Sequence, residues 1–230
     1  MKKPFPVPDS IRANVKEDLS PMLGEIKDPQ MRDYVVEAWA ASLFLNGFTA
    51  VHELQGSGAL DVLVQKNASQ AAHLCGTAKI SKGIGEALLA MYPALPIDID
   101  LLVAGGLLHD VGKPPEYNKD NRRRWMEKPY LVGNPPVSHA LYGYYICMAL
   151  ELPLELACIP GVHCTEGELH GIQRSIAATI VHYADWMYWD CMKVLGELDA
   201  SFPYADVILA PYQNKTNYEE NFLKGIRLSE

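Results

Sequence analysis

Apolar positions recur at helical spacing through most of the chain. From Asp28 to Phe48, Met31, Tyr34, Val35, Ala38, Trp39 and Leu43 follow the period of a packed amphipathic helix. The period returns from Ser69 to Met91 through Ala72, Ile80, Ile84, Ala87, Leu88 and Met91, and it stops before Pro93. Asp98 or Asp100 can cap the next helix, whose body LLVAGGLL is apolar on every side and therefore belongs in the core. Further helices are predicted over Val137 to Leu150, Leu154 to Ile159 and Ile172 to Leu195.

The segments between carry different signals. The Pro-rich opening through Pro8 reads as an extended arm, Gln55 to Gly58 as a glycine-serine turn, and Leu60 to Gln65 as strand or helix. Gly112 to Pro136, rich in proline, glycine and charge, is too long for a simple turn and predicts a functional loop or lid. The expected architecture is an all-α single domain. An arm and helical extension occupy 1–68, the core 69–195, and a C-terminal extension packed on the same domain 196–230.

Composition narrows the partners. With 49% hydrophobic residues in 230, the chain can bury one substantial core. A net charge of -8 argues against a clamp on duplex nucleic acid, which needs a basic face. Five scattered cysteines without a CxxC pair suit a reducing cytoplasm. The start, MKKPFPVPDS, lacks the apolar segment of a signal peptide, and no stretch reaches membrane-spanning length.

The candidate chemistry lies in His73, His109, Asp110, His139, His163 and Asp185. Imidazoles and carboxylates without paired thiolates suit a hard-to-borderline divalent ion. Consecutive side chains diverge by about 100° on a helix, so His109 and Asp110 converge only at a helix end. Asp110 has two oxygens and could bridge two ions while His109 holds one of them. Without a cation, Asp110 would sit poorly at the negative end of the helix dipole.

These residues resemble the HD-domain metal-dependent phosphohydrolase superfamily, whose pattern is an isolated His, a His-Asp pair and a distant Asp. His73, His109-Asp110 in LLHDVGK, and Asp185 in HYADWMYWD match in order. His139, in SHALYGYYI, and His163, in GVHCTEGE, stand where the HD-GYP phosphodiesterases have two further histidines. The resemblance implies two divalent ions, Fe or Mn first, with Zn, Ni, Co or Mg also compatible. It also implies that Lys113 contacts substrate phosphate and that Asp110 and Lys113 are catalytic. Arg122, Arg123 and Arg124 are further substrate-binding candidates from the loop. The implied partner is a small phosphate-containing molecule; a homodimer through the arm and first helix is an open alternative.

The chain departs from the HD-GYP pattern in three places. The Gly-Tyr-Pro signature is absent, Cys164 replaces the second His that often follows the His163 place, and Ser69 stands where some members carry an acidic ligand. Cyclic dinucleotide turnover and a third metal are therefore not expected. The leading expectation is a phosphohydrolase or phosphodiesterase. The competing ones are a di-iron oxygenase of the same superfamily, as in myo-inositol oxygenase, a hydratase of nitrile-like molecules, and a catalytically silent sensor. His182, three residues before Asp185, could make a hydrogen bond behind the ligands. Arg174, eleven residues before Asp185, is about 16 Å away by helix rise and too far for the ligand shell. Cys164, Trp186 and Trp189 read as packing residues.

Overall fold

Carboxylates and prolines start the helices close to where the pattern places them. A computed structural model describes residues 1–59, 63–164 and 173–198. In it the arm leads into α1 (Asp9–Asp18) and a single turn, α2 (Ser20–Leu23). Asp28 caps α3 (Pro29–Leu45) by accepting the Gln30 N–H at 2.8 Å. Asp98 caps α5 (Ile99–Leu108) through the amides of Asp100 and Leu101. Asp100 instead accepts the amides of Lys27 and Asp28 at 2.9 and 2.7 Å, fixing the start of α3 against α5.

The N-terminal extension is part of the core. Every residue of α3 from Tyr34 to Leu43 is buried, where an amphipathic pattern predicted one wet face. The arm and α1 supply the cover: the buried Glu37 carboxylate accepts from Lys3 Nζ at 2.7 Å and from Arg12 Nε and Nη2 at 2.7 and 3.0 Å. On its inner side α3 meets the end of α5. Trp39 Nε1–H donates to the Leu107 carbonyl at 2.7 Å, and Ser42 Oγ–H to that of Val111 at 2.6 Å. Leu107 lies in the last turn of α5, where carbonyls lack intrahelical partners, and Val111 in the turn that follows, so the two bonds fasten the end of α5 and the turn after it. One apolar cluster runs from Val7 to Val181.

α4 (Gln70–Met91) crosses α5 at a point where a Cβ on Gly106 would stand 2.5 Å from Ala78 Cα, so only glycine permits the approach. After α5 come three short helices, α6 (Pro114–Tyr117), α7 (Lys119–Glu127) and α8 (Pro129–Val132). The long loop expected over Gly112 to Pro136 is thus corrected: Asn118 caps α7 through Asp120 and Asn121, and Trp125 is buried. Then follow α9 (His139–Ala149), α10 (Leu154–Val162) and α11 (Ile176–Val194).

The fold is predominantly helical, with one addition. β1 (Gln55–Ala59) and β2 (Leu63–Ser69) form an antiparallel pair with Gln55 opposite Ser69 and Ser57 opposite Val64. The glycine-serine turn expected at Gln55 to Gly58 is therefore a strand. Tertiary contact overrides its weak strand propensity: Gln70, at the head of α4, bonds the Ser57 amide through Oε1 at 3.3 Å. Lys66 N–H donates to the Glu197 carbonyl at 2.9 Å, which ties the end of α11 to β2. The rest of the extension expected over 196–230 lies outside the described residues beyond Leu198. Among the described residues, no helix is long and apolar enough to cross a membrane.

Candidate metal centre

Each sequence-predicted ligand is delivered by a helix or helix end. His73 stands in the first turn of α4 and Asp185 in the middle of α11, while His109 and Asp110 follow the last residue of α5. There the helix tightens into a turn, with Val111 N–H bonded to the Leu108 carbonyl at 2.9 Å, and both neighbouring side chains reach the centre. His139 opens α9 and His163 follows α10. A Cβ on Gly112 would stand 1.8 Å from the His139 carbonyl oxygen, so glycine is what brings the start of α9 against the His-Asp turn.

All six side chains meet, and Asp110 divides them. Its Oδ2 lies 3.3 Å from both His73 Nε2 and His109 Nε2. Its Oδ1 lies 3.5 Å from His139 Nε2 and 3.4 Å from His163 Nε2. Asp185 Oδ1 faces the first pair, 3.2 Å from His73 Nε2 and 3.5 Å from His109 Nε2. One carboxylate thus separates two imidazole pairs, and two candidate metal clusters result, one containing His73, His109 and Asp110, the other His139 and His163 with Cys164.

The hydrogen bonds behind the rings show that the donors fit a cation. His109 Nδ1–H donates to the Gly106 carbonyl and His163 Nδ1–H to that of Pro160, both at 2.7 Å. Those bonds make Nδ1 the donor and turn Nε2 toward the carboxylates, where a proton or a metal ion can sit. His73 Nε2 and His109 Nε2 are only 3.0 Å apart. Buried lone pairs facing buried carboxylate oxygens are mutually repulsive unless a positive charge lies among them. Asp185 Oδ1 has no hydrogen-bond donor of its own among the described residues.

The charges respond accordingly. Burial acts to lower the His109 imidazolium, but Asp110 and Asp185 outweigh it and hold its proton up to about 10. Burial acts to raise the Asp110 carboxyl, but Lys113 and His109 hold it well below the usual carboxylate range. Asp185 is depressed in the same way, with His109 and His73 outweighing burial. The two carboxylates demand positive charge, and a divalent ion would supply it in place of the imidazolium proton. Burial lowers His163, which keeps the neutral form a ligand needs.

Several supporting residues escaped the sequence pattern. Gln70 Nε2–H donates to Asp110 Oδ2 at 2.7 Å, and Glu116 Oε1 lies 3.3 Å from His139 Nδ1. Gln70 precedes His73 by three residues and shares its helix face, the one signal that pointed to it. Lys113, 2% exposed, sits 3.1 Å from Asp110 Oδ2 and donates to the Ser57 and Gly58 carbonyls of β1. Three acceptors therefore meet the three N–H bonds of its ammonium. His182 is buried and donates through Nδ1 to the His163 carbonyl. Trp189 and Tyr188 wall the centre, with ring centroids 4.6 and 4.7 Å from His73.

The model of the HD domain matches residues 71–190. The chain belongs to the HD-domain family. No curated protein and no solved structure matches it. In this HD domain the clusters support a metal-dependent hydrolase in general terms. Arg122, Arg123 and Arg124 stand apart from the HD centre on α7, where Arg123 pairs with Asp120 at 2.9 Å and Arg124 bonds Asn121 at 3.1 Å. The hollow lined by Lys119, Arg122, Arg123, Met126 and Glu127 contains none of the centre's side chains.

Proposed function

We propose that this HD-domain protein hydrolyses a small phosphate ester, a nucleotide or phosphodiester among them, with two divalent ions bridged by Asp110. The observation that carries this reading is the division of Asp110: each oxygen faces its own pair of imidazoles. His73, His109 and Asp185 would hold one ion with Asp110 Oδ2, and His139 and His163 the other with Asp110 Oδ1. Bound there, the ions would activate water at neutral pH and offset phosphoryl charge.

The chain's own residues do the rest. Gln70 and Lys113 hold Asp110 so that both oxygens stay aimed, and Glu116 orients His139. Lys113 reaches a substrate oxygen by releasing the Gly58 carbonyl, the longest of its contacts at 3.2 Å. Arg122, Arg123 and Arg124 on α7 are assigned to the distal charge of an anionic substrate. The acidic chain accepts such a substrate because bound cations dominate the local field. Iron or manganese suits the first position with its two carboxylates, and the two imidazole pairs support a reading closest to the binuclear branch of the family.

The test is phosphate or alcohol release from a panel of nucleotides and phosphodiesters, with manganese or ferrous iron added anaerobically. Activity should vanish on chelation, return with metal, and be absent in Asp110→Ala. Hydrolysis that survives Asp110→Ala would overturn the reading, and substrate-dependent oxygen uptake in its place would make the protein an oxygenase.

A further inference from the structure

The two metal positions are not equal in donors. The first has two imidazoles and two carboxylate oxygens, from His73, His109, Asp110 and Asp185. The second has two imidazoles and the shared Asp110 Oδ1. It is one donor short of a closed set of four. Glu116 is not taken as that donor, because its Oε1 faces His139 Nδ1, while the ring turns Nε2 toward Asp110.

We infer that Cys164 is the thiolate ligand of this second position, so that the centre holds two chemically different ions. The inference rests on the two-ion reading above. The Cys164 Sγ and one ring nitrogen each of His139 and His163 all lie within 4.8 Å of one another. Donors about 2.0–2.3 Å from one tetrahedral ion stand about 3.5 Å apart, which leaves a closing movement on the order of 1 Å. A second observation points to the same ligand position: His163 is 1% exposed, and with Nδ1 given to Pro160 its Nε2 lone pair faces Asp110 Oδ1 at 3.4 Å.

The local backbone explains how two consecutive residues can serve one centre. His163 and Cys164 follow the last residue of α10, as His109 and Asp110 follow the last residue of α5. Their carbonyls are held from α11 and its approach. Arg174 donates to the carbonyls of Val162 and Cys164 at 2.6 and 2.9 Å, and His182 to the one between them. The chain thus uses the same device twice, a pair of ligands at a helix end. Once it supplies nitrogen and oxygen, once nitrogen and sulfur.

Coordination would release the Cys164 proton to solvent and form a metal–thiolate bond. A thiolate shifts preference from manganese or magnesium toward zinc, cobalt or ferrous iron. The second position is therefore the thiophilic one, and the first, with two carboxylates, takes the harder ion.

Cobalt(II) titration of metal-free wild-type protein under anaerobic conditions tests this, read as bound stoichiometry and as thiolate-to-cobalt absorption in the near ultraviolet. The expected result is two cobalt ions per chain with the thiolate band, and loss of that band in Cys164→Ser, Cys164→Ala and His163→Ala. Two ions bound without the band, or a band that persists in Cys164→Ser, would overturn the thiolate and leave the two-ion centre standing. One ion per wild-type chain without the band would overturn both.

Discussion

The two halves of the centre differ in how deeply their ligands lie. His73 and His109 are fully buried, beside a helix crossing that only Gly106 permits. His139 and His163 come from the start of one helix and the end of another, and the His139 side chain remains 18% exposed. The first position is a piece of the core, while the second is assembled at its rim. A site sealed in the core is formed whenever the protein is folded, whereas a site with a part-exposed ligand depends on how that ligand is fastened. The first ion should exchange slowly and the second quickly, with substrate meeting the exposed side.

Asp110→Ala should erase the contrast by removing the oxygens on both sides. Elemental analysis is expected to show loss of both ions, and denaturant unfolding a cost of about 3–5 kcal/mol, because Lys113 is left buried without its counter-charge. Retention of one ion would mean that the carboxylate is not shared.

Gly112→Ala should strike the rim through the backbone. The added methyl must displace the His139 carbonyl, at a cost of about 1–3 kcal/mol for overpacking. Metal analysis should show preferential loss of the second ion; equal loss of both would dissolve the distinction between core and rim. Glu116→Gln acts on the rim alone. Affinity for the second ion should fall about 10–100-fold, with the first unchanged in competitive titration.

The smallest effect lies furthest from the centre. Burial acts to raise the Glu37 carboxyl, but Arg12 and Lys3 outweigh it and lower it. A carboxyl depressed in the folded state stabilises the fold above its unfolded pKa of about 4.3, and that stability is lost as pH falls through the folded value. Glu37→Gln should therefore lessen the dependence of stability on pH below about 4.3 and leave metal content at neutral pH intact. An unchanged acid limb in thermal unfolding would show that the arm is not held by this carboxylate.

The part of this molecule legible in its sequence is the part carried by period and motif. The extents of α4 and α5 follow from apolar spacing and from Asp98, and the order of the candidate ligands from LLHDVGK and the flanking histidines and aspartate. What stayed hidden depends on partners distant in the chain. β1 is glycine-serine in sequence and becomes a strand only because β2 and Gln70 pair with it. α7 carries one buried apolar residue, Trp125, too few for a periodic signal, so its helix was read as loop. Helix rise does not apply to Arg174, which precedes the Ser175 cap of α11 and binds the carbonyls at the end of α10. Glu116 and His182 act on the backs of ligands, and no spacing rule records such contacts.

The bonds from Trp39 and Ser42 to the carbonyls at the end of α5 set a limit on where this chain can be cut. The family match begins at residue 71, so a fragment starting there would carry all six candidate ligand residues. It would also leave two backbone oxygens stranded in a greasy trench on either side of His109 and Asp110. Such a fragment would possess the signature and lack the floor beneath it. The hereditary unit of this domain and its mechanical unit are different lengths of polypeptide.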